Sequence, residues 1–400
     1  MTEAVSRPTL EAVAARAGVS RATVSRVVNG GDGVRAPLAE RVRQAVAELG
    51  YVPNQAARSL VTKRHDAVAV VIAEPETRVF ADPFFALQLR GISKELTAHD
   101  NQLVLLLTEG RDDHARVARY LSGGHVDGAL VFSLHLDDPL PGLIQDAGVP
   151  TVFGGRPGWG DEGRGAGPAR PTAKDPGVVY VDCDNRGGAR AAVRHLVGLG
   201  RTRIAHLTGV LDQTSAVDRL DGYRDVMAEV PGGNDPRLVV ESDFTPAGGE
   251  RAMRELLDRC PDVDAVFAAN DLTALGALRV LRASGRRVPD DVAVIGFDDM
   301  LPVAEEADPP LTTVRQDIEG MGRLMARLLL RGLSDGRDRT DDRDRPDGRG
   351  TTDGCDRTDA RDGAEARGRT DGLDRTGSAV DEPHAGGVIL PTTLIRRVSA

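Results

Sequence analysis

The stretch TLEAVAARAGVSRATVSRVVNG, residues 9–30, decides how the N-terminal part of the chain is read. Apolar side chains recur at helical spacing in Leu10, Val13, Ala14 and Ala17, and again in Val24, Val27 and Val28. Gly18 breaks the first run, because glycine enters the left-handed conformation without a Cβ penalty, and Ser20 suits the cap of the second. Further on, Leu38, Val42, Val46 and Leu49 mark a third helix, with Pro37 in its first turn and Gly50 at its end. The spacing alone is that of any small three-helix bundle.

Charge separates this head from the rest. Ten basic against five acidic side chains in residues 1–64 give +5 there, and leave −15 on the remainder of a chain whose total is −10. A basic head on an acidic body can engage phosphates locally while the body stays off them. With 400 residues and 40% hydrophobic content there is room for two or three domains. No apolar run approaches the roughly 18 residues of a membrane span, and the N-terminus lacks a secretory apolar stretch, so a cytoplasmic protein with no membrane partner is expected. Cys183, Cys260 and Cys355 are too scattered for a zinc site or a disulfide framework, and no metal or cofactor is expected.

From residue 66 the pattern changes. Short apolar runs at 67–72, 102–107, 128–132, 150–153, 203–208, 264–269 and 292–297 alternate with amphipathic helices at 84–99, 112–123, 185–199, 216–229, 246–259 and 271–284. Continuous apolar strands between helices indicate an α/β body of parallel sheets covered on both faces, and two sheets fit the length better than one. Residues 155–177 are rich in Gly and Pro and hold Trp159, the only tryptophan. Residues 333–387 repeat variants of DGRDRTD almost without apolar side chains, so burial cannot offset their ordering entropy and they read as a disordered insertion. The run VILPTTLI, 388–395, looks structured again.

Residues 9–30, followed by VRAPLAERVRQAVAELGYVPNQAARSL (34–60), closely resemble the helix-turn-helix head of the LacI/GalR family of transcription repressors. The resemblance implies that the second helix presents Arg21, Ala22 and Arg26 to base edges in a major groove, where arginine can bond guanine O6 and N7 and alanine a thymine methyl. Ser20, Thr23, Ser25 and Asn29 then cap the helix or position phosphates. Outside this motif the same arginines would read as a solvated face. The run YVPNQAARSL resembles the family's hinge helix, expected over 54–62 and entering the minor groove, with Pro53 and Asn54 able to start it, Asn54 and Ala57 among its DNA contacts and Leu60 as an apolar wedge. This completes a DNA-binding domain over 7–64 and implies a homodimer on double-stranded operator DNA.

The likeness continues through VDCDNRGGARAAVRHLVGLGRTRIAHLTG (181–209), VDRLDGYRDVM (217–227), VFAANDLTALGALRVL (266–281), VAVIGFDDM (292–300) and PLTTVRQDIEGMG (310–322). It implies a periplasmic-binding-protein-like body over 65–400. Its first lobe is expected at about 66–154 and 317–332, its second at about 178–314 and 388–400, with a small effector, expected to be a carbohydrate, between them. Arg219, Asn270 and Asp298 match effector contacts of the family, and Asp82 and Phe84 in the DPFF run (82–85) match its first-lobe motif. The chemistry suits a polyhydroxylated ligand, since arginine donates, aspartate accepts and asparagine does both. Plain alternatives are a helix cap for Asp298, a turn former for Asn270 and core packing for Phe84. Relatives of this type include purine and nucleoside responders, and a non-exported solute-binding protein would share the body. No nucleophile elbow, P-loop, HExxH or GxGxxG stands in a fitting context, and the adjacent Asp298 and Asp299 should point to opposite faces of a strand, so no enzyme is expected.

Overall fold

The computed structural model describes residues 8–52, 64–158, 178–341 and 387–400, apart from positions 30, 32, 110 and 137 and the side chains of 111–112 and 335–341. The expected hinge helix at 54–62, with Asn54, Ala57 and Leu60, lies outside the described residues, as do Trp159, Cys355 and the low-complexity stretch from 342 to 386. The chain forms two compact units, Met1–Ala67 with Gly124–Asp127, and Val68–Gly123 with Gly128–Ala400. Gly124–Asp127 joins the first unit, where the Asp127 carboxylate accepts from the backbone N–H groups of His65 and Asp66 at 2.8 and 2.9 Å.

In the first unit, α1 (Leu10–Ala17), α2 (Arg21–Val28) and α3 (Ala36–Leu49) form the head. The Thr9 and Ser20 hydroxyls accept from the backbone N–H of Ala12 and Thr23, and Gly18 and Gly50 end α1 and α3 with φ of 64° and 60°. Val13, Val24, Val42 and Tyr51 are buried together. Val24 is the buried residue of α2, so the rest of that short helix is left to half-buried and exposed positions.

The second unit holds two six-stranded sheets. The strands are β1 (Ala67–Ile72), β2 (Gln102–Leu107), β3 (Gly128–Phe132), β4 (Thr151–Gly154), β5 (Val179–Cys183), β6 (Ile204–Thr208), β7 (Val239–Glu241), β8 (Ala265–Ala268), β9 (Ala293–Asp298), β10 (Thr312–Arg315), β11 (Gly387–Leu390) and β12 (Thr393–Ile395). One sheet runs β11-β5-β4-β3-β1-β2, the other β12-β10-β9-β8-β6-β7. β12 lies antiparallel to β10, whereas β1 with β3 and β8 with β9 pair in parallel. Every residue of β1, β3, β6, β8 and β9 is buried, as a sheet covered on both faces requires.

The helices of this unit are α4 (Glu76–Ala81), α5 (Pro83–Ala98), α6 (Arg111–Ser122), α7 (Leu140–Asp146), α8 (Asn185–Gly198), α9 (Thr214–Met227), α10 (Pro246–Arg259), α11 (Asp271–Ala283), α12 (Val303–Glu306) and α13 (Ile318–Asp341). α5 and α13 touch backbone to backbone: a Cβ on Gly91 would lie 2.0 Å from the Glu319 carbonyl oxygen. Among the described residues no helix is long and apolar enough to cross a membrane, and no cluster of His, Cys, Asp or Glu could hold a metal ion.

Two expectations need correction. The lobe boundaries placed 178–183 and 388–390 in the second lobe, yet β5 pairs with β4, and β11 with β5, in the first sheet. Chain crossings follow β5, β10 and β11, so these strands finish one sheet before the chain enters the other lobe. The expected insertion also starts late. α13 continues to Asp341, because Leu330 and Leu333 still pack on the first-lobe core, and β11 begins at Gly387.

Candidate functional site

Two places combine exposed or cleft-facing polar groups with well-defined supports. The first is α2 of the head. Ser20 Oγ accepts from the Thr23 N–H at 3.1 Å and lies 2.9 Å from Thr23 Oγ1, so both hydroxyls serve the cap. Asn29 ends the helix and its Nδ2 donates to Ser25 Oγ at 3.2 Å. Arg21, Ala22 and Arg26 are exposed, and Arg21 meets Glu11 of α1 at 3.1 Å in an ion pair that water screens. A short helix anchored by one valine thus presents two guanidinium groups outward.

The second is a cleft within the other unit, enclosing about 800 Å³ that is partly open to solvent. Its walls come from both sheets: Asp82, Phe84, Phe132 and Asp182 on one side, Arg219, Phe244, Asn270 and Asp298 on the other. It lies at the carboxyl ends of the strands, where open parallel sheets leave a crevice. All five residues singled out in the body, Asp82, Phe84, Arg219, Asn270 and Asp298, line it.

Arg219, on α9, is buried and held on three sides. Its Nε donates to Asn185 Oδ1 at 2.9 Å, its Nη1 to the Ala269 carbonyl at 2.6 Å, and the guanidinium carbon sits 3.8 Å above the Phe297 ring centroid. Its Nη2 lies 3.5 Å from Asp298 Oδ1. Asp298 ends β9 at φ 104°, a conformation few side chains adopt, and Oδ1 also accepts from Gln316 Nε2 at 2.6 Å. Oδ2 takes no hydrogen bond from the described residues. Burial pushes the Asp298 carboxyl up to about 7, with Arg219 and Gln316 pulling down and Asp82 pushing up. Asp299 turns away to Arg315 and Arg397, so the two neighbouring carboxylates do not form a pair.

Asn270 caps α11: its Oδ1 accepts from Thr273 N at 2.8 Å and its Nδ2 donates to the Phe244 carbonyl at 3.1 Å. A ligand can use only its second N–H and the remaining lone pair. Asp82 caps α5 through the Phe84 N–H at 3.0 Å, and burial raises its carboxyl above the usual range. Phe84 is half-buried and stands edge-on to the core residue Phe85.

Sequence reading passed over several lining residues. Gln316 and Asn185 hold Asp298 and Arg219, and Asp182 orients Asn185 at 3.0 Å. Phe244, at φ 63°, offers a second ring from the opposite lobe. Gln316 and Asn185 stand in blocks already quoted for their family likeness, but no local pattern distinguishes them. Phe244 is marked only by its backbone strain, which the sequence does not display.

A helix-turn-helix head and a two-lobed, ligand-cleft body define a ligand-responsive DNA-binding regulator. Residues 9–54 match bacterial regulatory proteins of the lacI family, and 193–352 match a periplasmic binding protein-like domain. The HTH-type transcriptional regulator CelR of Thermobifida fusca is 52% identical over 324 residues, 81% of this chain and 91% of that protein. A solved CelR–cellobiose complex is 43% identical with TM-score 0.66, covering 98% of this chain and all of that one. The lac repressor dimer bound to operator and the anti-inducer ONPF is 25% identical with TM-score 0.73, covering 98% and 99%. This chain belongs to the lacI family and is a transcriptional regulator.

Proposed function

We propose that the chain is a cytoplasmic repressor whose homodimer binds a near-palindromic operator and is controlled by a neutral sugar held between its lobes. The observation that carries the sugar reading is the convergence of Arg219, Asn270 and the unfilled Asp298 Oδ2 between two aromatic rings, Phe84 and Phe244. Donors and acceptors in the plane and rings at the faces suit a polyol with apolar ring faces. Asp82, Asp182 and Asp298 all line the cleft, and an anionic ligand such as a sugar phosphate would be repelled by any of them that is ionised. The CelR–cellobiose complex supports a glucose-type disaccharide. The activity is binding rather than turnover.

On the DNA side, Arg21 and Arg26 read bases beside Ala22, with Ser20, Thr23, Ser25 and Asn29 setting the helix on the backbone, and Asn54, Ala57 and Leu60 act from the hinge. The test is a thermal-shift screen of cellobiose, ribose, nucleosides and purines, followed by operator titration with and without each hit. A purine that shifts the protein while the sugars do not would replace the sugar reading. Leu60→Ala should weaken operator binding and spare random DNA; equal losses on both would remove the wedge.

A further inference from the structure

The chain crosses between lobes after β5, β10 and β11, and β5 and β11 stand together at one edge of the first sheet while β10 and β12 stand at the matching edge of the second. The hinge is therefore on one side of the cleft. β1 and β3 of the first sheet and β6 of the second lie toward the other side, and the loops at their carboxyl ends meet across the cleft mouth.

Glu74, just after β1, is buried, and its Oε1 collects four donors. Arg78 Nη1 donates at 2.7 Å and Ser133 Oγ at 2.6 Å from the same lobe, and His135 Nε2 lies at 3.5 Å. Gln213 Nε2 donates at 2.8 Å from the opposite lobe. His135 in turn reaches across: its Nδ1 lies 2.9 Å from Asp212 Oδ1, and the next backbone N–H, of Leu136, donates to the Asp212 carbonyl at 2.6 Å. The Arg78 guanidinium also sits 5.4 Å from the centroid of the Phe244 ring across the cleft.

We propose that Glu74, His135, Asp212 and Gln213 form a clasp that ties the two lobes together at the side opposite the hinge. The charges fit this role. The hydrogen bond to Glu74 raises His135 to about 9 against the opposing effect of burial, with Asp212 adding to the rise, so the ring is a cation at neutral pH. For Glu74, burial pushes the carboxyl up, and the bonds and charges of His135, Arg78 and Ser133 outweigh it and hold it below its usual range. Opening the mouth takes Gln213 from Glu74 and Asp212 from His135 while Arg78, Ser133 and His135 stay with Glu74, so water must replace both cross-lobe partners of a buried charge pair. Arg78, Ser133 and Gln213 also line the cleft, so a ligand arriving there meets groups already engaged in the clasp.

The clasp rests on the fold and not on the identity of the effector, and the test uses the full-length protein without ligand. Hydrogen–deuterium exchange is followed in wild type, Glu74→Gln and Asp212→Ala. Asp212 is half exposed at the rim, so its truncation leaves the core intact. In Asp212→Ala, a change in the second lobe, the Leu136 amide of the first lobe should exchange about tenfold faster or more, the scale of one lost hydrogen bond to a charged group. In Glu74→Gln, residues 210–216 of the second lobe should lose protection to a similar degree. β3 and β6 should stay protected in both. Loss of protection confined to the lobe that carries the substitution, or no change in either variant, would overturn the clasp.

Discussion

Helix α2 and the cleft use the same residue types in opposite ways. On α2, Arg21 and Arg26 stand exposed, and Arg21 pairs with the exposed Glu11. In the cleft, Arg219 is buried with its guanidinium engaged by Asn185, Ala269, Asp298 and the Phe297 ring. A side chain on a solvated helix needs only its own helix to aim it, and its removal disturbs little else. A cleft side chain is part of the packing, so its removal leaves other groups unpaired. The difference makes function separable from stability in the head and entangled with it in the body.

The sharpest way to break that contrast is to truncate one arginine from each place. Arg219→Ala leaves Asp298 and Asn185 without their buried partner and should lower the unfolding free energy of the body by about 3–5 kcal/mol. Arg21→Ala should change it by no more than about 0.5 kcal/mol. Denaturant titration of both variants decides the matter, and similar losses would end the distinction.

Acid provides the next largest effect. His206, in β6, is buried between the Tyr223 and Phe267 rings, and burial lowers it to about 4, with the Phe267 carbonyl opposing and Arg219 and Arg224 assisting. Because the folded state binds its proton less readily than the unfolded one, the stability contribution is present above pH 6.5 and is lost as pH falls through 6.5 toward 4. The full loss is about 3 kcal/mol. Unfolding curves at pH 7 and 4 should differ accordingly, and His206→Phe should flatten that difference; an unchanged pH slope in the variant would assign the acid sensitivity elsewhere.

In the head, Arg21→Ala and Arg26→Ala should each weaken operator binding by about 1–3 kcal/mol and relax preference at one symmetric pair of base positions. Selection on randomised operators measures this directly. An unaltered consensus would reduce both to phosphate contacts.

The smallest expected effect is on effector affinity at Asp298. Its raised folded value means that its contribution to stability is complete below the usual carboxylate range near 3.8 and disappears as pH rises through about 7. A sugar hydroxyl donates more strongly to the ionised form, so effector affinity should rise between pH 6 and 8, by about tenfold at most. Calorimetric titration at several pH values should show the rise in wild type and a flat profile in Asp298→Asn.

The head was legible because its signals are local. Thr9, Gly18, Ser20 and Gly50 terminate helices by chemistry that reaches only three or four residues along the chain. Helix α10, Pro246–Arg259, was likewise readable to the residue, since Thr245 caps it and proline starts it. By contrast, β5, β7 and β10 are not among the expected apolar runs, because polar side chains such as Asp182, Glu241, Thr312 and Thr313 interrupt them.

What the sequence by itself determined is the order of the helices and of most apolar strands, by spacing and side-chain chemistry, and, through its resemblance to a family, the helix-turn-helix and the residues that could recognise DNA or a sugar. Only the tertiary structure decided which sheet β5 and β11 complete, since a parallel pairing is set by edges far apart in the chain. It alone placed Gln316 and Asn185 behind Asp298 and Arg219, and brought Glu74 to Gln213 across 139 residues of chain. Such contacts depend on where elements pack, and no local pattern encodes that.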